Sequence, residues 1–163
     1  MVKGILMEEI LLRRFEAENV PIFKEWLEKE HISKWYTEPE DWIDEVTLRQ
    51  ETFSWINHFI VLMENRRIGF CQFYKIIDSN EPCYANVPQV GTYSIDYLIG
   101  EEEYLGKGNG KKIIQLLTEM IFAIPDSERV VVQPEPENKA SCNALLGNGY
   151  VFDRLKQVYV KEK

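Results

Sequence analysis

At 163 residues and 19.2 kDa the chain has the length of one domain, long enough to bury about 70% of its unfolded surface without disulfide or metal staples. Twenty-seven acidic against 19 basic residues give a net charge of −8, which argues against a phosphate-tracking nucleic-acid binder and favours cationic partners. No apolar run reaches the ~18 residues of a membrane span, and Met1–Met7, with one lysine and no long apolar stretch, does not read as a signal peptide, so the expected compartment is the cytoplasm.

In chain order, Ile10–Phe15 reads as a strand. Glu18-Asn19-Val20-Pro21 supplies a helix start, and Ile22, Phe23, Trp26 and Leu27 follow at helical spacing, so a first helix is expected to end near Glu30. Pro39 breaks the chain, and a second helix is expected from about Glu40 to Phe53. Phe59–Met63 and Ile68–Ile77, joined by Glu64-Asn65-Arg66-Arg67, read as a hairpin, and 78–88 as a loop. Thr92–Ile99 returns to strand character, and 100–110 is turn-rich. Ile113, Leu116, Leu117, Met120, Ile121 and Ile124 then mark the clearest amphipathic helix, which Pro125 ends. Val130–Gln133 reads as a short buried strand, Asn138–Asn148 as a helix, and Tyr150–Leu155 and Val158–Val160 as closing strands. No repeat or linker interrupts residues 1–163, so one mixed α/β (α+β) sheet domain is expected. Cys71, Cys83 and Cys142 are scattered and without C-x-x-C spacing, and His31 and His58 are the only histidines. Neither a disulfide framework nor a metal site is expected from them.

The chemistry concentrates in Leu105-Gly106-Lys107-Gly108-Asn109-Gly110-Lys111, between a strand and the strong helix. Alternating glycines let successive backbone N–H groups turn toward one point, and the helix adds its positive N-terminal end. Together these make a pocket for a phosphate or pyrophosphate; a plain glycine-rich turn before a helix is the alternative reading. A Walker A loop fails, because Leu105 stands at its first glycine and Lys112 at its Ser/Thr; a dinucleotide fingerprint fails at Lys111.

Further on, Pro134-x-Pro136-x-Asn138 leads to Ser141 and then Gly149-Tyr150. With the loop 105–110, these runs resemble the GNAT superfamily of acyl-CoA-dependent N-acetyltransferases, whose loop is Gln/Arg-x-x-Gly-x-Gly/Ala and whose later helix reads Asn-x-x-Ser/Ala. Leu105 departs from the first loop position, which matters little where main-chain N–H groups do the binding. From about Ile10 to Tyr150 the chain is similar to aminoglycoside 6′-N-acetyltransferases, through Glu25-Trp26-Leu27, His31-Ile32, Trp35-Tyr36, Ile68-Gly69-Phe70 with Gln72, and the Ile95-Asp96 spacing to the loop. Siderophore-lysine N-acyltransferases share parts of the pattern.

The resemblance implies a mostly antiparallel sheet with one splayed strand pair, flanked by helices. It implies acetyl-CoA (coenzyme A) as cofactor, held by Leu98, Ile99, Leu105, Gly106, Lys107, Gly108, Asn109, Gly110, Lys111, Asn138 and Ser141, with a backbone N–H near Leu98 polarising the thioester. It implies an acceptor site containing Trp35, Tyr36, Gln72 and Asp96, with a small cationic amine, an aminoglycoside for instance, as partner; monomer and homodimer both remain open. An ammonium of pKa about 10 must lose a proton before it attacks. Asp96, an aspartate set against β propensity between Ile95 and Leu98, is the candidate base; a water-facing strand edge is the alternative. The family's tyrosine acid falls on Leu145, which has no proton to give. Trp26 reads as a core residue; Trp42, Trp55 and Gln72 stand between core or solvent and pocket; Glu38, Glu40, Asp41, Asp44 and Glu45, mixed with the tryptophans, stand between a solvated face and carboxylates that pair with the ammonium groups of a hydroxylated polyamine, and Glu81 reads as part of a flap. A siderophore-lysine or protein-amine acyltransferase of the same fold, and a non-catalytic acyl-CoA-binding module, are the alternative functions.

Overall fold

The structure is a computed structural model and describes residues 9–163; the reading of Met1–Met7 falls outside them. Strands form where alternate apolar side chains face two different layers. β1 (Ile10–Arg14), β2 (Ile56–Met63), β3 (Arg66–Lys75), β4 (Thr92–Ile99), β5 (Arg129–Val132), β6 (Val151–Asp153) and β7 (Val158–Glu162) form one sheet in the order β1-β2-β3-β4-β5-β7-β6. All neighbours are antiparallel except β4 and β5. The helices are α1 (Val20–Glu28), α2 (Glu30–Ser33), α3 (Pro39–Thr47), α4 (Ile76–Ser79), α5 (Asn109–Phe122) and α6 (Lys139–Leu146). The mixed, mostly antiparallel α/β sheet is the expected architecture. No helix among the described residues is long and apolar enough to cross a membrane.

Glu64 and Asn65, with φ of 50° and 64°, close the β2–β3 hairpin in the two-residue geometry that matches strand twist. One sheet face packs Ile60, Leu62, Phe70 and Leu98 against Phe23, Trp26 and Leu27 of α1 and Val46 of α3. The opposite face packs Val61, Ile68, Cys71, Phe73 and Ile95 against Ile113, Ile114, Leu117 and Ile121 of α5. The α5 stripe therefore differs from the expected one. Met120 is 36% exposed, whereas Thr118 is buried, its hydroxyl donating to the Ile114 carbonyl and lying 2.7 Å from the Tyr150 hydroxyl.

Several boundaries move, three of them for a visible reason. The first helix breaks at Lys29 (ψ 137°), whose ammonium donates to the Gly100 carbonyl at 3.0 Å and pairs with Glu101 at 2.9 Å. Gly100 itself lies under Trp26, where a Cβ would sit 2.2 Å from the indole. The second helix stops at Thr47, and Arg49 turns back to donate to the Val46 carbonyl at 2.9 Å. Ile76 leaves the sheet and starts α4, which ends at Asn80 with φ 54°.

Candidate active site

β4 and β5 pair only through Thr92↔Arg129 and Tyr93↔Val130, then part, which leaves the second half of β4 with an open edge. Its register decides what that edge presents. Gly69 faces Ile99, and the Gly100 N–H donates to the Ile68 carbonyl at 2.7 Å. Gly69–Ile99 and Cys71–Tyr97 are therefore the non-hydrogen-bonded pairs of the β3–β4 ladder, and Phe70–Leu98 and Gln72–Asp96 the bonded ones. The main-chain groups of Leu98 are committed to β3, and those of Tyr97 and Ile99 face the gap. The N–H expected near Leu98 thus belongs to a neighbour and not to Leu98, whose side chain is buried under α1 and α3. Both outward carbonyls are already engaged: the Tyr36 hydroxyl donates to that of Tyr97, and His31 Nε2 lies 2.9 Å from that of Ile99. What the edge has left is N–H donors.

Those donors lead toward the glycine loop. Gly106 and Gly108 have φ of +71° and +79°, and a Cβ on either would have no heavy atom within 4 Å. The first helical bond of α5 runs from the Lys112 N–H to the Gly108 carbonyl at 3.2 Å. Among the described residues, none of the backbone N–H groups of residues 106–111 has an intramolecular acceptor. A row of free donors at the positive end of a 14-residue helix is an anion cradle. The side chains of the loop have partners of their own. Asn109 is buried and donates to the Tyr104 carbonyl at 2.9 Å, so only its main chain faces outward. Leu105 is 41% exposed; Lys107 lies 5.9 Å from the Tyr104 ring; Lys111 runs along Gly147 at the far end of α6.

Across the gap, Asn138 caps α6 by accepting the Ser141 N–H at 3.2 Å. That bond occupies its Oδ1 and leaves its Nδ2 without a partner among the described residues. The Tyr97 phenol lies near Ser141 and Cys142 of α6, and its ring lies so close to Gly110 that a Cβ there would sit 3.1 Å from it. Tyr97 thereby joins the start of α5 to α6 across the gap, a role the sequence did not signal. Leu145 is fully buried in the α5 core. Cys142 is free and buried.

On the α1–α3 face, register sets His58, Gln72 and Asp96 side by side across three strands. Apolar residues flank this row on one side (Ile60, Phe70, Leu98), and Ile56, Tyr74 and Ser94 flank it on the other. Gln72, 2% exposed, donates from Nε2 to Asp96 Oδ2 at 2.9 Å. Burial pushes the half-buried Asp96 carboxyl up to about 7; the Gln72 N–H opposes the rise, and nearby Glu81 adds to it. Glu45 enters from α3 and is pushed up to about 8, first by burial and then by repulsion from Asp96, Glu81 and Asp41. Glu81 accepts the Tyr74 hydroxyl at 2.6 Å. At the far end of the row His58 is lowered to about 4 by burial and by Arg49 and Arg14, so it is neutral at pH 7 and brings no countercharge.

Aromatic rings border the carboxylates. Tyr36 meets Trp42 edge-on at 4.8 Å, and Trp55 meets Tyr74 edge-on at 5.6 Å. Trp35 stands outside the core clusters, with the Lys34 ammonium 5.3 Å over its ring. Trp26 is a core residue, 1% exposed. Sequence reasoning leaves Glu45 among several acids that could face acceptor or solvent and Glu81 in a flap, and does not bring either to Asp96. The one available signal for Glu45 was its place on the same amphipathic turn as the core residue Val46 and the half-buried Trp42.

An anion cradle at a helix start, an open strand edge and an acidic aromatic pocket on the adjoining sheet face together describe a group-transfer site. Comparison with known proteins agrees. The family model described as "Acetyltransferase (GNAT) domain" matches residues 16–158. The chain is 26% identical over 141 residues to an aminoglycoside N(6′)-acetyltransferase type 1 of Klebsiella pneumoniae, covering 80% of this chain and 68% of that protein. Its fold matches that of aminoglycoside acetyltransferase AAC(6′)-Ib in complex with coenzyme A and kanamycin, with a TM-score of 0.80, 22% identity and 95% of each chain covered. It also matches an uncharacterized protein from Bacillus halodurans, with a TM-score of 0.79, 15% identity, and 95% and 83% covered. A match that runs from just after β1 to the first residue of β7 takes in β2 to β6 and all six helices, the architecture that forms the site: the chain belongs to the GNAT acetyltransferase family.

Proposed function

We propose that the protein is an acetyl-CoA-dependent N-acetyltransferase acting on a primary amine of a small cationic acceptor of the aminoglycoside class, by direct attack with both substrates bound. The observation that carries this reading is the unpartnered row of N–H groups at residues 106–111, continuous with the open edge of β4. These residues fit coenzyme A: the loop offers N–H donors to a diphosphate, and nothing crowds the space above Gly106 and Gly108. Bound there, acetyl-CoA supplies an activated thioester. The Tyr97 and Ile99 N–H groups hold carbonyl oxygens along the β4 edge, as an added strand is held, and the one nearest the thioester stabilises the charge that develops on its oxygen.

Asp96 orients the acceptor and removes the proton that an ammonium carries at neutral pH. A carboxyl raised to about 7 is divided between its acid and base forms at pH 7, which suits a general base. Gln72 fixes its orientation through the 2.9 Å hydrogen bond. Leu145, fully buried, gives no proton to the departing sulfur; a thiol pKa of about 8.5 lets much of the leaving group take its proton from solvent.

The cytoplasm is the compartment in which this cofactor and these unpaired cysteines fit best. Acetyl-CoA with kanamycin, followed by free-thiol release, tests the function. Release that requires the amine is expected. Binding of coenzyme A with no release from kanamycin, other aminoglycosides, hydroxylysine or peptide amines overturns the enzymatic reading.

A further inference from the structure

The row that ends at Asp96 begins, two strands away, beside a cavity of the opposite charge. Where β1 ends next to β2, a space of about 110 Å³ is lined by Arg14, Glu16, Arg49, Gln50, Ser54 and His58. Its two arginines come from separate segments, the last residue of β1 and the turn after α3. Each guanidinium is seated on an aromatic ring, Arg14 at 5.9 Å from the centre of Phe59 and Arg49 at 5.9 Å from that of Phe15.

The charge here is unbalanced. Among the described residues neither arginine forms an ion pair, although acids outnumber bases in the chain. Glu16 lies on the same wall, exposed, and pairs with neither. Arg49 donates one N–H to the Val46 carbonyl at 2.9 Å, and a guanidinium has four more to give. His58 is 3% exposed, and its Nε2, shielded from solvent, has no hydrogen-bond partner. A shielded ring nitrogen without a partner is costly, and so are two adjacent cations without a countercharge.

Size and donors together select what would answer both. The cavity is well below the ~300–1,000 Å³ of a pocket for a drug-sized ligand, so an aminoglycoside does not fit it, and its charge repels any amine. Guanidinium forks match the oxygens of a phosphoryl group in spacing and charge. We propose that this cavity is a second binding site, for a tetrahedral oxyanion of the phosphate class, held by the guanidiniums of Arg14 and Arg49 with Ser54 and His58 donating to its oxygens. It is separate from the cradle at the start of α5 and does not depend on the acetyl-transfer reading.

Binding has a proton linkage. The charged groups around His58 are Arg14 from β1, Arg49 from the turn after α3 and Glu16 on the rim; uncharged Gln72, Phe15 and Phe70 complete its surroundings. An anion that offsets the two arginines lets the ring take a second proton at a higher pH than it does alone, so affinity strengthens as pH falls, as long as the ion keeps its charge.

His31 and His58 are the only histidines, so proton NMR reads the His58 ring directly and His31 serves as its reference. Sulfate, whose charge does not change over the range titrated, is the probe, against chloride at equal ionic strength. The His58 midpoint is expected to climb in sulfate from about 4 to roughly 5 or above, with His31 titrating alike in both salts. Arg14→Gln, at an exposed position, and Arg49→Gln are each expected to abolish the sulfate-specific rise, and Arg49→Lys to keep part of it. Calorimetry at pH 7 with inorganic phosphate and with glycerol 3-phosphate separates a free ion from a phosphate ester, and the one that binds is expected to bind at least tenfold more weakly to Arg49→Gln. The same His58 titration in sulfate and chloride overturns the proposal, as does a sulfate effect that survives in both glutamine variants, or the absence of heat from both phosphates.

Discussion

Replacing Asp96 with asparagine is expected to remove turnover and to raise stability at the same time. A carboxyl moved from 3.8 to about 7 is held in a fold that resists its charge. The sign follows from proton binding. Between pH 3.8 and about 7 the folded chain keeps a proton on Asp96 that the unfolded chain has lost, so the wild type loses stability as pH rises through that window and recovers none above it. The difference corresponds to a ceiling of roughly 4 kcal/mol at pH 8. Partial exposure of Asp96 and its repulsion by Glu45, which relaxes when either is neutral, bring the expected gain to roughly 1–3 kcal/mol, or about 3–10 °C in melting temperature for a chain of this size. Asparagine keeps the shape and a hydrogen bond to Gln72 but takes no proton, so turnover falls by about 10²–10⁴ at pH 7. Thermal unfolding at pH 4.5 and pH 8, with thiol release measured on the same samples, checks both halves. A melting-temperature gain at pH 8 that shrinks at pH 4.5, together with lost turnover, is the expected result. Equal melting at pH 8 would refute the strained carboxylate, and retained turnover would remove Asp96 from the reaction.

Two further outcomes follow from neighbouring residues. Gln72→Leu removes the N–H that holds Asp96 down, so the pH at which kcat/KM reaches half its plateau is expected to move upward from about 7; a downward shift contradicts the role given to that bond. Gly108→Ala forces a side chain into φ +79°, costing roughly 1 kcal/mol of stability, and covers the N–H row. Calorimetry is expected to show at least tenfold weaker binding of coenzyme A with little change in acceptor KM.

Much of this fold was legible in the sequence because its signals are local. Thr92–Ile99 is a strand over the residues its pattern marks, and the glycines of 106–110 predict both the positive φ values and the start of α5. The shifts came where a tertiary contact overrode a local pattern. The break at Lys29 answers to Gly100 and Glu101, about 70 residues away, and the burial of Thr118 answers to Tyr150. The site divides in the same way. Asp96 stands out as a candidate because an aspartate is out of place in an apolar strand. Whether Leu98 or its neighbours face the gap depends on hydrogen-bond register with β3, which no residue type encodes. Glu45 and Glu81 resemble surface acids in sequence, and only the approach of α3 and the post-α4 segment to β4 makes them part of one cluster with Asp96.

Amide hydrogen exchange with and without coenzyme A bears most directly on the whole account. Slowed exchange confined to residues 106–111 and to the Tyr97 and Ile99 amides, with the already bonded Leu98 amide unchanged, is the predicted pattern. Protection elsewhere on the surface, with those amides exchanging as fast as in the free protein, would contradict it.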